Sequence, residues 1–215
     1  TILVKSDLID PCDSLEDEKE NILACHIFRC ILKYYMGVLM SEIKKEVPII
    51  LFCYNRKNHI NVLMNSLLRF KKFLSLTPIY VYCDGPKTEQ DALLVQETRD
   101  CISQYTQDFN LTFNKSEKNI GLANSIIKGV TDTLKDYNAV IVLEDDLVLS
   151  PFFLEYMMTA LELYKDDPLV ASIHGYLPAI KSNLPDTFFL RGADCWGWGT
   201  WRRAWQHFDA DGQLL

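Results

Sequence analysis

Four short apolar runs, 47–53, 78–83, 111–113 and 139–143, alternate with stretches whose apolar residues recur at helical spacing. No other feature restricts the fold as much. Runs this short and this apolar belong to strands buried on both faces of a sheet. After the first run, Ile60, Leu63, Met64, Leu67, Leu68 and Phe70 predict a helix over 58–73. Further helices are expected over 87–105, 121–134 and 151–164, the last with Pro151 in its first turn. Asp84-Gly85-Pro86 stops the second strand. Strand–helix alternation predicts an α/β fold, a mostly parallel central sheet flanked by helices. Such sheets bind ligands at the carboxyl ends of their strands. Asn55-Arg56, Asp84-Gly85, Lys118-Asn119 and Glu144-Asp145-Asp146 follow strand ends or open helices, so this architecture gathers them towards one edge.

Residues 1–46 differ from the rest. Asp7 to Glu20 is acidic, Asp10-Pro11 is a turn, and a helical segment is expected over 16–45. The division is therefore an N-terminal helical and acidic extension, 1–46, and a main domain, 47–215. The stretch from Ile22 to Met40 carries His26, Arg29 and Lys33, which interrupt it too often for a membrane span. It suits a helix packed on the domain; peripheral contact with a membrane surface is the other reading. The seven cysteines form no CxxC pair and several sit inside apolar runs, the pattern of reduced, buried thiols in a cytoplasmic protein, free or at the inner face of a membrane. In that compartment the sequons at Asn110 and Asn114 carry no meaning. A net charge of −7 argues against nucleic acid as a partner.

Glu144, Asp145 and Asp146 follow four aliphatic residues directly. Clustered carboxylates repel one another and call for a counter-charge. A hard divalent cation, Mn²⁺ or Mg²⁺, supplies one, using one or two carboxylates together with phosphate oxygens. The alternative is a solvated acidic turn ahead of a helix.

The segment from Val142 to Phe153, Val-Leu-Glu-Asp-Asp-Leu-Val-Leu-Ser-Pro-Phe-Phe, resembles the metal-binding segment of GT-A glycosyltransferases. It is closest to the N-acetylglucosaminyltransferase I type and to bacterial family 2 enzymes, and the resemblance extends over residues 47–209. It implies the GT-A, nucleotide-diphospho-sugar transferase fold and a metal-dependent, inverting transfer. The sugar would pass from a UDP-sugar to a hydroxyl of a carbohydrate or lipid-linked carbohydrate, as in bacterial surface polysaccharide synthesis. It makes Asp146 the main metal ligand, with Asp145 assisting through the ribose or the metal's water shell. Glu144 stands outside the ligand set, towards sugar and acceptor. Asn55 and Arg56 would contact the nucleotide, Arg56 near the diphosphate, where its fork matches phosphate oxygens. Asp84 would accept from uracil, unless it only serves the Asp-Gly turn. Asn119 and Gly121 match a stretch that lies against the nucleotide; Asn124 departs from it.

Phe188 to Trp201 holds three of the four tryptophans, interleaved with glycines. Trp196 and Trp198 are candidate platforms for a sugar ring, or else parts of an aromatic core corner, leading into a helix over 202–208. Asp194 is the available carboxylate for a general base, although the resemblance places that base further on, past Leu215, in an acceptor region that this chain does not complete. His174 and His207 are polar alternatives. Two other functions share parts of this pattern. A sugar nucleotidyltransferase would need a glycine-rich loop after the first strand, which Cys53-Tyr-Asn-Arg56 lacks; a non-catalytic sugar- or nucleotide-binding domain would not need the base.

Overall fold

The computed structural model describes residues 2–4, 46–176 and 187–211. The helix expected over 16–45 lies outside them. The strands are β1 (Ile2–Val4), β2 (Ile49–Cys53), β3 (Ile79–Cys83), β4 (Leu111–Lys115), β5 (Ala139–Glu144), β6 (Ser172–His174), β7 (Thr187–Phe189) and β8 (Trp198–Trp201). The helices are α1 (Lys57–Leu68), α2 (Glu89–Ser103), α3 (Leu122–Asp136), α4 (Phe153–Leu163) and the single turn α5 (Arg202–Trp205). The strands form one sheet in the order β4-β3-β2-β5-β8-β6-β1-β7. The ladders from β4 through β5 are all parallel. β8 then runs antiparallel between β5 and β6, and β7 antiparallel to β1. The sheet is thus parallel where the sequence shows strand–helix units and mixed beyond them.

Alternation along the central strands gives each face its own core. Ile49, Leu51, Ile141 and Leu143 point into the layer under α1, α2 and α4, while Ile50, Phe52, Val140 and Val142 face Val130 and Leu134 of α3. Both sets are buried, which is why β2 and β5 read as unbroken apolar runs. α1 buries Ile60, Leu63, Met64 and Leu67, one stripe at helical spacing. α2 opens with a capping box in which Thr88 and Asp91 exchange hydrogen bonds.

Two local expectations need correction. Pro151 is not in the first turn of α4: the helix begins at Phe153, and Pro151 lies in a turn closed by the Phe153 N–H on the Ser150 carbonyl, 3.1 Å. The helix expected over 202–208 is only the single turn Arg202–Trp205, and the tryptophan-rich segment ahead of it ends in the strand β8. Trp201 is buried and its indole N–H donates to the Leu161 carbonyl, 3.0 Å, fixing β8 to α4.

Candidate functional site

The parallel ladders bring the carboxyl ends of β2, β3 and β5 side by side, and the loops leaving them enclose a pocket of about 330 Å³. Its walls include Asn55, Arg56, Asp84, Asn119, Gly121, Glu144 and Asp145. Residues that the sequence scatters over ninety positions therefore share one cavity.

Its electrostatic centre is Arg56, at the end of β2. The guanidinium grips both oxygens of Asp145, through Nη2 to Oδ1 and Nε to Oδ2 (3.3 Å), and reaches Asp146 Oδ2 through Nη1 at 3.3 Å. The Asp145 side chain is 3% exposed; that of Asp146 is 46% exposed. Burial pushes the Asp145 carboxyl up from its usual range, while Arg56 pulls it back. Glu144, the last residue of β5 and half-buried, is also pushed up, by burial first and then by the Asp146 and Asp145 charges. Part of the counter-charge demanded by the acids thus comes from Arg56. One guanidinium against three carboxylates still leaves negative charge in excess, and Asp146 presents its carboxylate to solvent. Among the described residues no three ligating side chains converge on one point, so Asp146 can hold a hard divalent cation only with phosphate oxygens and water completing its shell.

Asp84 is 6% exposed, and its carboxylate accepts from three backbone amides: Gly85 (2.9 Å), Ile120 (3.0 Å) and Gly121 (2.9 Å). It is a clamp between the β3 loop and the start of α3, and it takes up amides that otherwise stood ready for an anion. Asn119 works from the other side, donating to the Gly85 carbonyl at 3.0 Å. Gly121 has φ of 82°, a left-handed conformation suited to glycine, and so explains itself as the N-cap of α3. Asn55 donates to Asp91 at 3.4 Å; Asn124 donates to the Ile120 carbonyl and is not among the pocket walls.

Tyr54 and Lys87 are among the polar wall residues that sequence reasoning did not single out. Lys87 adds a second cation, with its backbone N–H donating to the Tyr54 hydroxyl at 3.0 Å. The available signal was position: both residues directly flank the turns that close β2 and β3.

The remaining candidates gather elsewhere. Trp198, Asp194, His174 and His207 line a larger cavity of about 680 Å³ between α3, β6, β8 and α5, together with Ile126, Trp205 and Phe208. Its lining is mostly apolar and holds no arginine or lysine, so the smaller pocket, with Arg56 and Lys87, suits a diphosphate better. Trp198 packs near Trp205, ring centres 6.0 Å apart, and Trp196 against Tyr176, 4.6 Å. Asp194 caps a turn, accepting from the Trp196 N–H at 3.0 Å. His174 is fully buried; its Nδ1 accepts from the Asp194 N–H at 3.2 Å, leaving Nε2 to meet Ser172 Oγ at 2.8 Å. His207 is exposed beside Gln206.

Comparison with curated protein sequences found no match. Among solved structures, S. aureus TarS (residues 1–349, with UDP-GlcNAc) is similar at 18% identity, over 55% of this chain and 32% of that one, with a TM-score of 0.44. The mannosyltransferase PcManGT from Pyrobaculum calidifontis (with GDP-Man and Mn²⁺) is similar at 15% identity, over 71% and 44%, TM-score 0.44. A cytidylyltransferase from Leptospira borgpetersenii is similar at 12% identity, over 59% and 52%, TM-score 0.40. The chain spans less than half the length of the first two. No helix among the described residues is long and apolar enough to cross a membrane. The sequence profile of the GNT-I family matches residues 13–183, most of the chain and both sides of the acidic strand end, and the chain belongs to that family.

Proposed function

We propose that the pocket at the ends of β2, β3 and β5 binds a UDP-sugar together with Mn²⁺ or Mg²⁺, as the donor site of a glycosyltransferase that acts with inversion on a carbohydrate hydroxyl. The observation that carries this reading is that Arg56, a wall of that cavity, bonds both Asp145, another wall, and the half-exposed Asp146, which lies just outside it and lines the adjoining cavity beside His59. Arg56 and Lys87 offer positive charge to a diphosphate, and Asp146 offers an oxygen ligand. Asp146 would hold a divalent cation there, and the cation would supply stabilisation of the charge that develops on the leaving group. Asp145, occupied on both oxygens, holds Arg56 in place and keeps the fork aimed at the rim. Asp84 and Asn119 fix the loop that forms the opposite wall. The 54–56 segment contains no glycine, which disfavours a nucleotidyltransferase, whose triphosphate needs a glycine-rich cradle at this place.

Calorimetric titration of UDP in Mn²⁺ and in EDTA, on the native chain and on Asp146→Ala, tests the reading. The expected result is binding that weakens at least about tenfold, 1.4 kcal/mol, on losing either the metal or Asp146. Tighter binding of CTP than of UDP would point to nucleotidyl transfer. Equal binding in EDTA would remove the metal from the site.

A further inference from the structure

Beneath the same pocket, β2 and β3 end in a register pair of cysteines, Cys53 opposite Cys83. Both side chains face the same core layer. Each thiol reaches across to the other strand: Cys53 Sγ lies 3.7 Å from the Tyr82 carbonyl oxygen, and Cys83 Sγ lies 3.6 Å from that of Tyr54. Two sulfurs that each contact the opposite backbone occupy the gap between the strands. Neighbouring strands lie about 4.8 Å apart, within the roughly 4.4–6.8 Å between Cα atoms that a disulfide spans.

A second observation singles out this pair. Arg99 of α2 donates to the Ser116 and Asp84 carbonyls, 2.6 and 3.4 Å, yet its buried Nε has no hydrogen-bond partner. The guanidinium lies close enough to Cys83 to favour its charged form. The Cys83 thiol is drawn down, by the Cys53 S–H first and Arg99 next, while Cys53 is pushed up as that hydrogen-bond donor and by burial. Burial pushes up the other two described thiols, Cys101 and Cys195.

We infer that Cys53 and Cys83 are an oxidisable dithiol under the nucleotide pocket, closing reversibly to a disulfide with a small peroxide as oxidant. Cys53 lines the pocket, hydrogen peroxide is small enough to enter a cavity of about 330 Å³, and Cys83, 1% exposed, lies directly behind Cys53, so the oxidant reaches Cys83 past the Cys53 side chain. The Cys83 thiolate attacks one peroxide oxygen. The O–O bond breaks, leaving a sulfenic acid, and the departing hydroxide takes up the proton that Cys83 had released, forming water. The Cys53 sulfur then attacks the Cys83 sulfur, the S–O bond breaks, and a second water leaves with the Cys53 proton. Two thiols and one peroxide give one disulfide and two waters. The bond ties together the strand ends that carry the 54–56 and 84–86 loops, so the redox state of the pair is coupled to the shape of the pocket.

The test is peptide mapping of the full chain without reduction, after brief treatment of the reduced protein with dilute hydrogen peroxide. The expected product is a cross-linked pair of peptides containing Cys53 and Cys83, lighter by two hydrogens and restored by dithiothreitol. Oxidation of Cys83 to sulfinic acid without a cross-link overturns the inference, and so does oxidation of other cysteines while these two stay thiols. In Cys83→Ser the Cys53 peptide should remain reduced; mapping of the native chain decides the matter even if that variant folds poorly. UDP with Mn²⁺ should slow the cross-link several-fold. A cross-link that forms at the same rate with bound UDP keeps the dithiol but removes the nucleotide from this pocket, which separates the two readings.

Discussion

Arg56 is the residue on which the candidate site turns. Its side chain is 44% exposed, but its principal partner, Asp145, is almost wholly buried. Removing one member of such a pair leaves a buried charge unsatisfied. Arg56→Ala should therefore destabilise the fold by about 1–2 kcal/mol, less than a fully buried pair because the guanidinium is half in water. Arg56→Ala combined with Asp145→Asn should recover much of that loss, since the amide needs no counter-charge. Urea denaturation of the two single variants and the double variant checks this cycle; strict additivity would mean that the two side chains do not depend on each other. The sequence shows three acids after an apolar strand, and from them an acid-rich site is legible. It does not show that Arg56 holds Asp145, because the two are 89 positions apart and meet only through the β2–β5 ladder. Asp84 has the same lesson: alone in sequence it suits a turn or a ligand, and its bonds to Ile120 and Gly121 exist only once β3 and α3 are placed.

At the scale of elements, the wall opposite Arg56 depends on how tightly the β3 loop meets the approach to α3. A Cβ built on Gly85 would lie 2.6 Å from the Lys118 carbonyl carbon and 2.7 Å from the Glu117 carbonyl oxygen. Backbone cannot swing aside as a side chain can. Gly85→Ala should push the 117–121 segment away, loosen the Asp84 clamp, cost about 1–3 kcal/mol and weaken UDP binding. Thermal denaturation and the same calorimetric titration measure both effects; unchanged affinity would show that this wall does not touch the nucleotide. Of the strands in this half, β2 and β5 were legible because both faces are buried, which leaves continuous apolar runs, while β3 and the edge strand β4 are buried less but still carry apolar residues. β6, β7 and β8 were not legible. Ser172-Ile-His174 and Trp198-Gly-Thr-Trp201 are short and broken by polar or small residues, and their strand character comes from pairing with each other and with β5.

Over the whole molecule, the second part of the sheet carries a buried imidazole at its seam. His174 of β6 is fully buried, and burial holds its pKa below the ordinary value of a histidine. In the unfolded chain the same group takes up a proton near pH 6.5. The unfolded state thus binds more protons below that pH, and stability falls as pH drops through about 6.5, while it is fully retained above. Denaturation midpoints at about pH 7.5 and 5.5 should show the loss, and His174→Gln should show a smaller one. An identical pH response in the variant would assign the acid sensitivity to other groups.

The position of β8 bears on how the chain comes off the ribosome. It is inserted between β5 and β6 although it is made after both, so Val140 and Val142 find their partners, Thr200 and Trp198, only about sixty residues later in synthesis. Until then the strand that ends in the acidic triplet has one unpaired edge of amides and carbonyls, flanked by some of the most apolar side chains in the chain. An emerging polypeptide that stops short of Trp201 carries an adhesive border, and chaperone capture or aggregation during translation should concentrate in that window.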